Sequence, residues 1–389
     1  MPEDSNKPKA RKPKLPPGFA PKAKKPKLPP GAAPKAKLPP GALKKKAVMP
    51  PGGDGAPLAL TRKDFASNQD VRWCPGCGDY AILATVQRLM PDLGIPKENV
   101  VFISGIGCSS RFPYYMNTYG MHSIHGRAPT LATGLKASRP DLDVWIVTGD
   151  GDALSIGGNH LIHVLRRNIN VHILLFNNQI YGLTKGQFSP TSEIGKVTKS
   201  TPFGSLTHPF NPVSVALGAA GSFVARTMDR DTKHMAKILR RAHAHEGASF
   251  VEIYQNCNIY NDGAFFEFTE KASKGERAIF IEHGKPMLYD GGRKGIRLDG
   301  FRPVSMDLTE SRWSVDDAIV YDETSVELAG IAARMSRHAD LPRPFGVFYS
   351  ENRDSFEALM HAQIAHVTSK RGKGDLDALL QSGDTWEIV

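Results

Sequence analysis

The chain has 389 residues, 40% of them apolar and 23% charged, with a formal net charge of +11. That length suits two domains or one large domain with appendages. No apolar run is long enough to span a membrane, and the opening residues show neither a secretory nor a transit pattern. A cytoplasmic protein without a membrane partner is the expectation.

Residues 1–55 hold thirteen lysines, one arginine and three acids, the whole of the net charge. The rest of the chain is balanced, so the high pI is no argument that the folded part recognises nucleic acid. A KLPPG unit recurs at 14–18, 27–31 and 37–41, between PKAK-type spacers. Proline removes backbone donors, lysines repel one another and almost nothing apolar can be buried. Residues 1–57 are expected to be a disordered tail, with at most nonspecific contact to an acidic partner or nucleic acid.

Ordered sequence is expected from Leu58. In WCPGCGD, Cys74 and Cys77 flank a Pro-Gly turn, and a helix with Ile82, Leu83, Val86, Leu89 and Met90 follows. In a cytoplasmic chain such a pair points to redox chemistry, zinc or an iron–sulfur cluster. A strand over 100–103 empties into SGIGCSSR, a glycine-rich loop carrying Cys108. His125 and Arg127 then precede a helix with Leu131, Leu135 and Lys136. Each can meet an anionic ligand or simply begin the helix.

Residues 143–183 organise the chain. A buried-strand run over 144–147 ends in Gly149-Asp150-Gly151-Asp152, a helical stretch follows, and a second apolar run over 171–176 ends in Asn177-Asn178. Right-handed crossover makes the two strands parallel, so Asp150 and Asn178 emerge together at the carboxyl edge of one sheet. A carboxylate, an amide oxygen and the backbone carbonyl of Ile180 offer half an octahedral shell to a hard cation, which tends to bring a phosphate with it. Glycines beside Asp150 let the backbone approach that phosphate. The pattern looks like the diphosphate-binding motif of thiamine-diphosphate enzymes.

Residues 184–212 are polar and read as an active-site loop. A helix is expected over 229–245, a strand over 249–253 closes the sheet, and Cys257 follows. Beyond residue 261 the pattern weakens to turns and short strands. An amphipathic helix over 355–368 carries Phe356, Leu359, Met360, Ile364 and Val367 as a core-packing stripe.

Together WCPGCGDYAIL, SGIGCSSR, HGRAPTLATG, TGDGDALSIGGNH and LLFNNQIYGLTKGQ resemble the beta subunit of 2-oxoacid:ferredoxin oxidoreductases, most closely the 2-oxoglutarate type. The resemblance implies an α/β thiamine-diphosphate-binding fold over 58–262, with 263–389 as a C-terminal extension. It implies a [4Fe–4S] cluster on Cys74, Cys77, Cys108 and Cys257, and Mg²⁺ on Asp150, Asn178 and the Ile180 carbonyl. Ile106, Gly107, Cys108, Ser109, His125, Gly151, Asp152, Gly182 and Leu183 would contact thiamine diphosphate. Arg111 would meet the 2-oxoacid carboxylate, and His125 and Arg111 stand as catalytic candidates.

The implied reaction is CoA-dependent oxidative decarboxylation, with electrons leaving singly through the cluster to ferredoxin. Thiamine enzymes also need a Glu from a pyrimidine-binding domain, which this chain has no room for. An alpha subunit is therefore the expected obligate partner. Three other readings stay open: another 2-oxoacid such as pyruvate, a non-oxidative thiamine decarboxylase, and a zinc-stabilised module that binds nucleic acid.

Overall fold

The computed structural model describes residues 60–386 and 388. The Lys/Pro-rich segment and its repeats lie outside the described residues. Eleven strands occur among those described: β1 (Val100–Ser104), β2 (Tyr119–His122), β3 (Asp143–Gly149), β4 (His172–Asn177), β5 (Phe223–Met228), β6 (Ser249–Tyr254), β7 (Ala278–Ile281), β8 (Leu288–Tyr289), β9 (Lys294–Asp299), β10 (Arg302–Asp307) and β11 (Arg343–Ser350).

Eight of them form one sheet in the order β2-β1-β3-β4-β6-β5-β11-β7. Every pairing is parallel except β11 against β5. The central strands β1, β4, β5 and β6 are buried along their whole length. This is the signature of a parallel sheet covered on both faces, and explains why β1 and β4 read as apolar runs rather than as alternation. One face packs Leu161, Val164 and Leu165 of helix Gly158–Arg166; the other packs Ile82, Val86, Ile238 and Leu239 of helices Asp79–Leu89 and Thr232–Ala244.

The α/β architecture and the β3-helix-β4 unit are as expected. Three expectations change. The strand over 249–254 is internal, paired with β4 and β5, and does not close the sheet. The residues after 262, expected as an extension, supply β7 and β11 to the main sheet, and also the small antiparallel sheet β10-β9-β8. Helix Phe356–Arg371 is present, but Phe356, Leu359, Ile364 and Val367 are exposed, so its stripe is not core. Among the described residues no helix is long and apolar enough to cross a membrane.

Candidate functional site

The chain leaves β1 toward β2 on one side of the sheet and leaves β3 toward β4 on the other. Phe112, after β1, and Leu161, after β3, pack on opposite faces. The carboxyl ends of β1 and β3 therefore border the crevice that such a reversal opens in an α/β sheet.

Asp150 begins a short helix directly after β3 and is 2% exposed. Its Oδ2 accepts from the Ser189 hydroxyl at 2.5 Å and lies 2.6 Å from that of Thr191. Burial nevertheless pushes its carboxyl pKa up to about 6. A divalent cation would relieve that cost. The Thr191 hydroxyl is also 3.0 Å from Asn177 Oδ1, which ties the ends of β3 and β4 together.

Asn178 follows β4. Its Nδ2 donates to Gln255 Oε1 at 2.8 Å, and its Oδ1 accepts from the Ile180 amide at 3.1 Å, leaving a second lone pair. Among the described residues no donor is aimed at the Ile180 carbonyl. A carboxylate, an amide oxygen and a carbonyl at one sheet edge form an all-oxygen set of the kind Mg²⁺ takes.

Asp152 is directed at the protein. Its Oδ1 accepts from the amides of Ile106 at 3.0 Å and Gly126 at 2.7 Å, and its Oδ2 from the Thr148 hydroxyl at 2.6 Å. His125 Nδ1 lies 2.7 Å from the same Oδ1, off a good hydrogen-bond line. One carboxylate thus fixes the glycine-rich loop, the His125 loop and the end of β3. Gly151 faces Tyr181, whose ring would lie 2.3 Å from an added Cβ, so only glycine fits. Ser109 Oγ is buried without a partner, next to Gly149, and Gly107 has φ of 138° with open space around it. An unpaired hydroxyl beside two glycine turns suits a diphosphate.

The four cysteines, all free thiols, converge. An added Cβ at Gly182 would stand 3.5 Å from Cys257 Sγ and 3.6 Å from Cys108 Sγ, so both sulfurs face one small space. The Gly78 amide donates to the Asn256 carbonyl, and Asn258 Nδ2 to the Pro75 carbonyl, fastening the Cys74–Cys77 turn to the Cys257 loop. Burial, helped by Asp79, pushes the Cys108 thiol up to about 12 and Cys77 still higher. Bound iron would make thiolates of them. Among the described residues no three of these sulfurs come within 4.8 Å of one another, whereas tetrahedral zinc spaces sulfurs roughly 3.8 Å apart.

Gln255, 1% exposed, connects the two centres: while Oε1 accepts from Asn178, Nε2 lies 3.2 Å from Cys77 Sγ. Arg111, half-buried in the turn after Cys108, has no carboxylate partner among the described residues. Leu183 is exposed at the rim.

Comparison with known proteins decides the family. The thiamine pyrophosphate enzyme C-terminal TPP-binding domain matches residues 105–253. The 2-oxoglutarate oxidoreductase subunit KorB of Mycobacterium tuberculosis is 52% identical over 84% of this chain and 88% of its own length. The chain is a beta subunit of the 2-oxoacid:ferredoxin oxidoreductase family. A second family member, 2-oxoacid:ferredoxin oxidoreductase 2, subunit beta, from Aeropyrum pernix, is 42% identical over 77% of this chain and 87% of its own length. Among solved structures, the 2-oxoglutarate:ferredoxin oxidoreductase from Magnetococcus marinus, with 2-oxoglutarate, coenzyme A and succinyl-CoA bound, matches 84% of this chain and 97% of its own. The TM-score is 0.67 at 30% identity.

Within this beta subunit Ser189, Thr191 and Gln255 carry no mark in the sequence that assigns them to the site. Ser189 and Thr191 sit in the polar loop after β4, where no periodicity marks a residue that reaches back to Asp150. Gln255 is one position beyond β6, and only the adjoining Cys257 gave a reason to look there.

Proposed function

We propose that this subunit holds the cofactors of a 2-oxoglutarate:ferredoxin oxidoreductase. The enzyme converts 2-oxoglutarate and coenzyme A to succinyl-CoA and CO₂ and passes the electrons to ferredoxin. The observation that carries this reading is the Gln255 bridge, which places an oxygen-ligand site and a four-cysteine cage one side chain apart. When bound, thiamine diphosphate supplies an electron sink for loss of CO₂, and a [4Fe–4S] cluster supplies a one-electron acceptor.

The chain's own residues bind and orient. Asp150, the Asn178 amide oxygen and the Ile180 carbonyl hold Mg²⁺. Ile106, Gly107, Ser109 and Gly151 meet the diphosphate, while Asp152 keeps their loops in register. Gly182 and Leu183 line the passage toward the cage, and Cys74, Cys77, Cys108 and Cys257 hold the cluster. His125 borders the site as a proton-carrying candidate. Arg111 offers an unpaired guanidinium to the substrate carboxylate. The choice of 2-oxoglutarate rests on the name of the Mycobacterium relative and on the Magnetococcus complex.

The surface around the crevice supports an alpha partner. Ile124, Ile156, Leu183, Phe203 and Leu206 are exposed on the flanking loops, and edge strand β2 is exposed throughout. Such apolar exposure and an unpaired sheet edge mark an interaction face. That partner would bring the pyrimidine-binding Glu. Co-expression with the alpha subunit, followed by a 2-oxoacid panel with CoA and a viologen acceptor, tests the reading. CoA-dependent dye reduction, fastest with 2-oxoglutarate and absent from the isolated chain, is expected. Turnover by the isolated chain, or none by the iron-loaded complex, would refute it.

A further inference from the structure

A second constellation lies at the opposite end of the sheet. Asp143 opens β3 and His172 opens β4, whereas Asp150 follows the far end of β3, about 20 Å away along the strand. His243 reaches them from the last turn of helix Thr232–Ala244. One ligand atom from each of the three residues falls within a 4.8 Å group, the one such group of His, Cys, Asp or Glu among the described residues.

The distances are those of a coordination shell. Asp143 Oδ1 is 3.2 Å from His172 Nε2 and 3.4 Å from His243 Nε2. Ligands roughly 2.0–2.1 Å from a tetrahedral ion are separated by about 3.3 Å. Each of the two buried ligands is also held from behind. Ser249 Oγ lies 2.9 Å from His172 Nδ1, and Trp145 Nε1 donates to Asp143 Oδ2 at 2.7 Å. In the cation-free fold His172 Nε2 meets Asp143 Oδ1 at 3.2 Å; with the Nδ1 proton directed at Ser249, that same Nε2 would be the nitrogen presented to a cation.

An ordinary Asp–His hydrogen bond explains only part of this. It leaves His243 Nε2 buried with no hydrogen-bond partner, although that atom points at the same carboxylate oxygen. An ion among the three atoms satisfies both imidazoles at once. The helix that presents His243 also ends there, and its carbonyl end favours positive charge. His243 is the least buried of the three, so the fourth position opens toward solvent on its side.

We propose that Asp143, His172 and His243 bind a zinc-class divalent cation that clamps β3, β4 and the end of helix Thr232–Ala244. Two imidazoles and one carboxylate select a borderline transition ion over Mg²⁺ or Ca²⁺, which prefer all-oxygen shells. This site is separate from the cysteine cage and is independent of the catalytic reading.

The test uses the full-length chain with its iron loaded, so that the cysteines are occupied, in excess Mg²⁺. Zn²⁺ is titrated against a chromophoric chelator, and melting is followed with and without Zn²⁺. The wild type should take up one zinc per chain and melt higher with it. Ser249→Ala, a small change behind a ligand, should weaken binding about 10- to 100-fold. His243→Ala should abolish both uptake and the melting shift at unchanged iron content. Should His243→Ala misfold, Ser249→Ala decides alone. No zinc uptake by the wild type, or equal uptake by wild type and Ser249→Ala, would overturn the proposal.

Discussion

Asn178 and Cys77 are joined by a single buried side chain. Gln255 accepts from the Asn178 amide at 2.8 Å and directs its own amide at the Cys77 sulfur at 3.2 Å. A residue of the proposed cation site and one of the four clustered cysteines are thus held in fixed relation.

Replacing Gln255 should be felt at the cage first. A donor to a cysteine sulfur stabilises the more negative, reduced cluster and so raises its potential. Gln255→Leu should lower the midpoint potential with iron content unchanged, as read by a redox titration followed by electron paramagnetic resonance. An unchanged potential would mean that the amide does not act on the cluster.

Asp150 gives a pH-dependent signature. In the cation-free fold its carboxyl sits near 6, pushed up by burial, whereas an unfolded Asp titrates near ~3.9. A raised carboxyl pKa means that the ionised form weighs against the fold. The penalty is absent below about pH 4, grows between 4 and 6, and is complete above 6. Asp150→Asn should therefore stabilise the metal-free protein at pH 8 by up to about 3 kcal/mol, with the gain vanishing by about pH 4, while abolishing Mg²⁺-dependent cofactor binding. Melting curves at the two pH values check the sign.

Thr191 stands behind the proposed cation site without being one of its ligands. Thr191→Val keeps the shape and removes the hydroxyl shared by Asp150 and Asn177. Affinity for Mg²⁺–thiamine diphosphate in the complex should fall about 10- to 100-fold with the fold intact. Calorimetric titration of the co-purified complex measures this.

Gly182 tests whether the cage holds more than four thiols. An added methyl would make ordinary contacts, at 3.5 and 3.6 Å, with the Cys257 and Cys108 sulfurs. Gly182→Ala should melt like the wild type when iron-free. It should lose about 1–3 kcal/mol once iron and sulfide fill the space, and carry less iron. Equal iron in variant and wild type would argue against a cluster pressed against Gly182.

Much of the frame could be read from sequence because its signals are local. The β3 and β4 strands are short apolar runs ended by Gly149-Asp150-Gly151 and Asn177-Asn178, and right-handed crossover leaves one arrangement for them. β11 was invisible by comparison. It contains Pro344 and a Gly346 at φ 133°, pairs antiparallel with β5, and takes its place in the sheet from contacts more than a hundred residues away. The same limit hid the fully buried Arg226–Glu252 pair. Arg226 Nε donates to Glu252 at 2.7 Å, and Glu252 in turn accepts from Asn177. Asp152 was legible as a cofactor-contact candidate, but that its carboxylate gathers three segments depends on distant amides. Residues with a distinctive chemistry of their own can be nominated from sequence, whereas residues whose role depends on what folds against them cannot.

The most direct test is electron paramagnetic resonance of the anaerobic alpha–beta complex after adding 2-oxoglutarate and CoA. The account predicts a reduced [4Fe–4S] signal that needs both compounds and is lost in Cys257→Ser. A colourless, iron-free complex, or an iron-loaded one whose cluster stays oxidised with every 2-oxoacid, would contradict it.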